Sequence, residues 1–348
     1  MPGFLLVFIL ALLHKYSDWR VLRIGTAISL LASIAFFVPA NKVFLTLIVT
    51  LFSTGEHLVM PVRQSLAMQI ANPGREGASL GIMTCVMNGG NIAGSLLVAA
   101  VFYSGLRVFH CDNERVLFNI VWGMVVALLV ASVCATFSRK APSRVSHRPS
   151  LYFRRKFGKF YILELFYGAR KQIFLTFAPY VLIQIYGLGT SQIALLMGIS
   201  ALVNMVGAPL VGRITDRMGY RAVMIWDTLI LFWVCLAYGF ADDLFSRRTA
   251  SMIVCANYLL DGLISTASMA TNIYVRRISS DPSELTSTLS TGISINHLVS
   301  ILIALAGGWV WTRFGVGWLF AFAAVMALFN SAFAWTVPRE ESTNPNNG

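Results

Sequence analysis

Eight polar side chains that could bind a solute or carry a proton stand inside long apolar stretches of the sequence. They are Glu56, His57, Asn88, Asn91, Arg170, Asp261, Asn296 and His297. A charged side chain near the middle of a membrane helix costs about 2.5–3.5 kcal/mol on insertion scales, so its presence there needs a reason. Carboxylates and imidazoles bind and release protons, while arginine and asparagine hold polar solutes. These residue types predict a pathway for a solute or an ion.

Asp261 and His297 fall at similar depth in consecutive apolar stretches, which favours proton transfer between them. Poor hydration stabilises the neutral form of a carboxyl group, whereas a protonated imidazole beside it stabilises the carboxylate. Access of water could then move a proton between the two groups, since imidazole titrates near neutral pH. We therefore expect Asp261 to respond to a proton gradient, with His297 as its relay partner and Glu56 as the counterpart in the first half of the chain.

The same side chains also have structural interpretations. The asparagines can simply bond across helices, which is worth about 0.6 kcal/mol each, and His297 can be a neutral core histidine. Asp261 can pair with Arg170 to hold helices together. Arg170 and Lys171 point about 100° apart on a helix, so only one of them faces inward, and we expect it to be Arg170. Asp227 is expected to pair with arginines of the loop that precedes it.

The composition predicts a membrane protein. Hydrophobic residues make up 57% of the 348 positions and charged residues 12%, against about 25% charged residues in soluble domains. The net charge of +12 sits in short loops between apolar spans, which argues against a nucleic-acid partner. The five cysteines show no metal-binding spacing, and no HExxH, GxSxG or nucleotide-binding motif occurs. We expect no cofactor, no metal site and no enzymatic activity.

Apolar spans follow one another along the whole chain, and most are long enough to cross a hydrocarbon layer about 30 Å thick. Inside lipid such spans must be helical, because every backbone polar group has to be paired. The spans cover approximately 4–13, 21–38, 43–70, 78–103, 116–137, 160–186, 192–211, 222–240, 249–275, 285–312 and 316–337. The first is only half as long as a bilayer is thick, so we expect the chain to begin inside a helix.

The longest polar stretch, 138–159, is strongly basic and divides the chain into two halves. If it is cytoplasmic, cytoplasmic segments hold 18 of the 27 Lys and Arg and external loops hold 6. This bias supports the orientation, because Lys and Arg accumulate on the cytoplasmic side. Glu164 and Arg63 then lie toward the cytoplasmic ends of their spans, where they could pair or reach the surface.

The segment after the span at 192–211 carries a recognisable spacing. It reads Gly212, three residues, Asp216-Arg217, one residue, Gly219, one residue, Arg221. Glycines permit a tight turn between two helices, and Asp216 is placed to cap the helix that follows. This spacing resembles the signature loop of the major facilitator superfamily. A degenerate copy, Leu13 to Arg20, holds the corresponding place in the first half.

The resemblance implies an all-α membrane protein with the two-bundle helical fold of that superfamily. We count about ten full transmembrane helices plus a short N-terminal half-helix, a twelve-helix design that lacks helix one. The predicted division is 1–137 for an incomplete N-terminal bundle, 138–159 for a basic cytoplasmic linker, 160–337 for the C-terminal bundle and 338–348 for a cytoplasmic tail. The eight polar residues fall on the spans that line the central cavity in the superfamily.

The function implied is transport of a small polar or charged solute by alternating access, driven by an ion gradient, with the proton as co-substrate. Gly212, Asp216, Arg217, Gly219 and Arg221 are assigned to the conformational switch. We expect a multi-pass protein of a bacterial inner (plasma) membrane, with both termini cytoplasmic and the lipid bilayer as its partner. An intramembrane enzyme and a transport-inactive sensor or assembly component with the same fold are the alternatives.

Overall fold

The computed structural model describes residues 2–38, 41–110, 113–138 and 153–339. Within these ranges the chain is helical, with no β-strand. The helices are α1 (Pro2–Leu12), α2 (Asp18–Ala35), α3 (Lys42–Gln69), α4 (Glu76–Arg107), α5 (Glu114–Ser138), α6 (Gly158–Gln184), α7 (Thr190–Met218), α8 (Tyr220–Leu244), α9 (Arg247–Ser265), α10 (Met269–Ile278), α11 (Pro282–Phe314) and α12 (Val316–Ala334). Most of the predicted linker 138–159 and most of the tail 338–348 lie outside the described residues.

The membrane-spanning character predicted from the sequence is confirmed. Eight stretches in the described part of the chain are long and apolar enough to cross a membrane. They belong to α3, α4, α5, α7, α8, α11, α12 and the continuous run of α9 and α10. Helices α2 and α6 add 18 and 27 residues but are more polar, and α1 has only 11 residues. The protein is therefore an integral, multi-pass membrane protein.

Single glycines separate two pairs of consecutive helices. Gly219 stands between α7 and α8 with φ +81°, and Gly315 stands between α11 and α12 with φ +88°. Backbones with these angles suit glycine, because a Cβ would clash with the adjacent carbonyl. Gly212 behaves differently from the prediction, since α7 continues through it to Met218. The predicted loop is thus a helix end followed by a one-residue turn.

The helices form two compact units. The first comprises Met1–Gln69, Gly90–Arg154 and Ser279–Ser294, and the second comprises Ile70–Gly89, Arg155–Ile278 and Ile295–Gly348. The boundaries therefore fall inside α4 and α11 rather than only in the basic segment at which the sequence divides. In the first unit, α1, α2 and α3 share an apolar core. Its buried residues are Leu6, Leu10, Val21, Leu58 and Val62.

The core of the second unit is built by α6, α8, α9 and α12. Phe174, Tyr238 and Phe320 are its aromatic centre, with ring centroids 4.9–5.8 Å apart. Such contacts stabilise beyond the burial of area alone. The helical run from α9 to α10 is interrupted by a 3-10 turn, Thr266–Ser268, one turn after Asp261. Serine and threonine hydroxyls that bond carbonyls three residues earlier accompany this bend.

Candidate functional site

Three charged side chains meet inside the second unit. Arg170 of α6 donates from Nη1 to Asp227 Oδ2 of α8 at 3.3 Å and from Nη2 to Asp261 Oδ1 of α9 at 3.1 Å. Their side chains are only 7%, 13% and 16% exposed, respectively. The guanidinium group holds the two carboxylates with different nitrogens, a geometry for which its fan of donors is suited. We refer to Arg170, Asp227 and Asp261 as the charge cluster.

The orientation of α6 explains why Arg170 takes part and its neighbour does not. Arg170 is buried, whereas Lys171 is exposed. Apolar side chains of the same helix, Ile173 and Phe174, are buried with Arg170. The apolar residues thus determine which face of α6 turns inward, and Arg170 lies on that face.

The prediction for Asp227 was wrong. Asp227 bonds Arg170 instead of the arginines of the preceding turn. Arg221, one of those arginines, lies over the ring of Trp335, with 5.2 Å from its guanidinium carbon to the ring centroid. Asp227 shares the inward face of α8 with Leu231 and Cys235, at helical spacing of four residues. Both of those residues are buried, so the regular spacing was the signal that the sequence interpretation missed.

A small cavity lies beside the cluster, between α6, α8 and α12. Its lining includes Arg170, Leu231, Cys235 and Asn330. Its water-accessible volume is about 10 Å³, which is about the space of one water molecule. Among the described residues, the Oδ1 atom of Asn330 is buried without a hydrogen-bond partner, and so is Oδ1 of Asp227. The arrangement therefore contains two buried acceptors that no donor in the described part of the chain satisfies.

A second polar contact joins α6 to α11. Asn296 donates from Nδ2 to Glu164 Oε2 at 3.4 Å, and Ser300 donates to the Gly168 carbonyl at 3.3 Å. A Cβ on Gly168 would stand 2.7 Å from the Asn296 carbonyl oxygen, so the two helices touch there. Glu164 is 8% exposed and hence buried, not directed to the membrane surface. Asn296 makes the cross-helix bond that its structural interpretation describes.

The signature segment of the sequence closes a junction between α7 and α4. Asp216 accepts the backbone N–H of Gly77 at Oδ1 and that of Ala78 at Oδ2, both at 2.7 Å. A carboxylate at a helix N-terminus is favourable, because those N–H groups lack partners within the helix. Asp216 was predicted to cap the helix that follows it, α8, but it caps α4. Beside it, Arg277 and Glu76 form an ion pair at 3.3 Å.

Glycines allow α4 and α7 to approach this closely. A Cβ added to Gly212 would lie 2.1 Å from the Gly77 carbonyl oxygen, and one added to Gly81 would lie 2.5 Å from that of Ala208. No side chain fits at such distances without moving one helix. The glycine of the motif at 212 is therefore a packing residue, and only Gly219 serves the turn. Arg217 is exposed and does not contribute to this junction.

The family is decided by the sequence of the second half together with this geometry. The model of the Major Facilitator Superfamily matches residues 160–348, which is more than half of the chain. The chain belongs to the major facilitator superfamily. This family and the fold point to a transporter rather than an enzyme.

Solved transporters of the superfamily share the fold at low sequence identity. The Escherichia coli fucose:proton symporter FucP has a TM-score of 0.77 at 12% identity, covering 97% of this chain and 89% of its own. The human organic anion transporter MFSD10 (TETRAN) has a TM-score of 0.73 at 9% identity, covering 96% and 80%. A bacterial homologue of the iron transporter ferroportin gives 0.69 at 13%, covering 96% and 88%. No curated protein sequence matches the chain.

The remaining predicted pathway residues of this superfamily member make local contacts. Glu56 is exposed and lies 3.4 Å from the Ser29 hydroxyl. His57 Nδ1 lies 2.7 Å from the carbonyl oxygen of Ser53, one turn earlier. Asn88 Nδ2 donates to the Thr84 carbonyl at 3.0 Å, again within its own helix. Asn91 is exposed.

His297 is half-buried on α11, whereas Asp261 bonds Arg170. The partner that bonds Asp261 is thus Arg170, whereas the sequence suggested His297. The alternative interpretation, an Asp261–Arg170 pair, describes the observed contact, and the pair joins α6 to α9 within one unit. The relay role of His297 stays a prediction.

The degenerate copy of the motif also makes a junction, within the first unit. Asp18 Oδ2 accepts from the hydroxyl of Thr286 at 2.9 Å and from Nε2 of Gln69 at 3.1 Å. Thr286 lies near the start of α11, as Gly77 lies at the start of α4. Asp18 therefore reaches a side-chain hydroxyl where Asp216 reaches backbone N–H groups. Sequence reasoning missed this contact because the glycines that mark the motif are absent around Asp18.

Proposed function

We propose that the protein is a secondary transporter that moves a small polar or charged solute by alternating access, with the proton as co-substrate. The observation that carries the proposal is the charge cluster buried in a helix bundle of a major facilitator. Ionisable side chains inside membrane helices are costly, and they are retained where they serve a solute or proton pathway. Asp261 is the coupling residue of this proposal, and Glu56, His57, Asn88, Asn91, Asn296 and His297 are its further pathway residues.

Transport by the purified full chain in proteoliposomes tests the proposal. The panel should cover sugars, organic anions and iron, because solved structures of the same fold include a fucose:proton symporter, an organic anion transporter and a bacterial homologue of an iron transporter. We expect accumulation of one class when a pH gradient is imposed, and its loss when the gradient is dissipated. Absence of gradient-driven flux for every class would contradict transport.

Asp261→Asn separates coupling from solute passage. The variant should abolish accumulation driven by a pH gradient while exchange of solute between the two sides continues. Lys171→Gln is the matched control, because Lys171 neighbours Arg170 but is exposed. If accumulation survives in Asp261→Asn, the cluster does not couple transport to the proton.

The junction at Asp216 is proposed to support the conformational cycle rather than solute binding. It binds the end of one helix to the end of another, and its charge-assisted hydrogen bonds are worth about 1.5–3 kcal/mol each. Asp216→Asn should therefore slow flux with little change in solute affinity, while Asp243→Asn, at an exposed position, should leave both unchanged. Weakened affinity with normal turnover would contradict this role. The neighbouring motif residues Gly212, Arg217, Gly219 and Arg221 belong to the same proposed switch.

A transport-inactive sensor or assembly component with the same fold is the second candidate, since a fold by itself does not specify flux. Solute binding by the purified chain without flux in proteoliposomes would distinguish this function from transport.

A further inference from the structure

The charge cluster has one carboxylate more than its cation can balance. Arg170 carries one positive charge, and Asp227 and Asp261 carry one negative charge each when both are ionised. Arg170 is the only cation bonded to either carboxylate among the residues that the structure describes. With all three groups ionised, the cluster would hold a net charge of −1 inside the second unit. A buried charge without a partner is strongly unfavourable.

The groups around the cluster do not supply a second positive charge. Those that face it are neutral at pH 7: Tyr167 from α6, Cys235 and Tyr238 from α8, and Tyr258 from α9. Helix α12, which packs along α8, contains no ionisable residue. On α6, Lys171 is exposed and Glu164 bonds Asn296. Helices α7 and α10 carry their charged residues in their last turns, near the start of α8. These residues are Arg213, Asp216, Arg217, Arg276 and Arg277.

The two carboxylates differ in the surroundings of their second oxygen. Asp227 Oδ2 bonds Arg170, while its Oδ1 is buried and accepts no hydrogen bond of ordinary geometry from the described residues. A proton on Oδ1 would therefore leave the bond to Arg170 intact. Asp261 is the nearer of the two to Arg170 and its side chain is the more exposed, so it is the better partner for the guanidinium charge. The unpaired oxygen thus identifies the carboxyl group that can be neutral.

An acceptor for the new O–H group is present on α12. Ser331 donates to the Ile225 carbonyl at 3.4 Å, so the end of α12 lies level with the segment of α8 that carries Asp227. Asn330, next to Ser331, has a buried Oδ1 without a donor, and the one-water cavity beside Arg170 is lined by Asn330. A proton on Asp227 that bonded this amide oxygen, directly or through a water, would remove two unpaired buried acceptors at once.

We infer that Asp227 is a proton-binding site: its carboxyl group holds one proton on Oδ1, Asn330 accepts the resulting hydrogen bond, and Arg170 stays paired with the ionised Asp261. The proton comes from a hydronium ion of the bulk water: one of its O–H bonds breaks, the O–H bond on Oδ1 forms, and a water molecule is released. This deepens and rests on the proposed proton coupling, since it names the group on which the proton resides. Asp261 then acts through Arg170, and Asp227 carries the proton.

Infrared difference spectroscopy of the purified full chain in lipid tests the assignment without any substrate. At neutral pH the wild type should show a C=O stretch of a protonated carboxyl group that shifts in heavy water. Asp227→Asn should lose this band. Glu164→Gln is the control, because it removes a different buried carboxyl group, on α6, and it should retain the band. Asn330→Leu should shift its frequency, because the hydrogen bond to the carboxyl proton is lost.

Two results would overturn the assignment. A band that persists unchanged in Asp227→Asn places the proton elsewhere, and a band that is unmoved by Asn330→Leu refutes the hydrogen bond to Asn330. If Asp227→Asn does not fold, Asp227→Glu replaces it, and the band must then move in frequency for the assignment to stand. The spectroscopic result is independent of flux, so a proton on Asp227 without gradient-driven transport would refute the proposed function and leave the site in place.

Discussion

Arg170 is the residue on which the interior of the second unit depends. Its guanidinium group bonds the carboxyl groups of Asp227 and Asp261 inside a bundle of apolar helices. Removing one partner of a buried ion pair leaves the other charge unpaired, which is far more costly than replacing all partners together. The neighbouring residue Lys171 gives the contrast at this scale, since it is exposed.

Arg170→Gln should therefore destabilise the protein by about 3–5 kcal/mol, measured by thermal or denaturant unfolding in detergent. Lys171→Gln should change stability by less than about 0.5 kcal/mol. Adding Asp227→Asn and Asp261→Asn to Arg170→Gln should recover much of the loss, because the triple variant contains no unpaired charge. Equal effects of the substitutions at 170 and 171 would contradict a compensating role for Arg170.

Asp281 fixes the start of α11 and provides a pH-dependent contribution to stability. Its Oδ1 accepts the backbone N–H of Ser283 at 2.8 Å and of Glu284 at 2.9 Å. Glu284 in turn accepts the backbone N–H of Ser280, the residue before Asp281, so its carboxylate bonds the turn that leads into the helix. Burial alone would raise the pKa of Asp281, but the hydrogen bonds from Ser283 and Glu284 outweigh it and hold the pKa below its ordinary value.

Asp281→Ala should cost about 1 kcal/mol at pH 7. Because the pKa of Asp281 is lower in the folded than in the unfolded protein, its contribution is complete above about pH 4 and is lost as the pH falls through the folded pKa. The stability difference between wild type and variant should thus shrink in acid. Asp281→Asn, which can still cap the helix, should retain most of the stability at pH 7. A difference that stays constant down to pH 2 would exclude the capping carboxylate.

At the scale of elements, α4 uses its glycines in two ways. At Gly81 the helix meets α7 so closely that an added Cβ would lie 2.5 Å from a backbone oxygen, whereas a Cβ added to Gly90 or Gly94 would meet no described atom beyond its own stretch of helix within 4 Å. Glycines in one helix can thus be essential for packing or replaceable, although their sequence context is alike. Contacts of the first kind let helix backbones approach in membranes.

Gly81→Ala should force α4 away from α7 and weaken the junction at Asp216. Gly90→Ala, in the same helix, should be neutral or stabilising by up to about 1 kcal/mol, because alanine has the higher helix propensity. Thermal unfolding of the two variants provides the comparison. If Gly81→Ala were as stable as Gly90→Ala, the close approach of α4 and α7 would not exist in solution.

For the whole molecule, the distribution of basic residues predicts the orientation in the membrane. The segment 138–159 carries eight Lys and Arg, and its Ser146 lies outside the described residues. Ser246, which the predicted orientation places on the external side, is an exposed residue at the N-terminus of α9. The two serines offer a matched pair for accessibility, because the sequence predicts three spans between them.

In intact cells, a membrane-impermeant thiol reagent should label Ser246→Cys and leave Ser146→Cys unlabelled until the membrane is opened. The native cysteines Cys85, Cys111, Cys134, Cys235 and Cys255 must be replaced in the background used. Labelling of Ser146→Cys from outside would reverse the predicted orientation.

The sequence alone determined the features that depend on composition and on neighbours along the chain. Runs of apolar residues predicted helices and membrane spans, because the bilayer leaves the backbone no other way to pair its polar groups. The spacing from Gly212 to Arg221 indicated the superfamily, and the 100° step of a helix, with the cost of a buried charge, selected Arg170 and Asp261. Each of these inferences needs only local geometry and the energy of transfer from water.

The tertiary structure alone decided which distant groups meet. Asp216 caps α4, whose start is 139 residues away, and no local pattern could distinguish that helix end from the nearer start of α8. Asp227 bonds Arg170 because four helices of the second unit share one core, so its partner depends on which faces of α6 and α8 turn inward. Contacts between remote segments follow from the packing of all helices together, and that packing is a property of the folded chain.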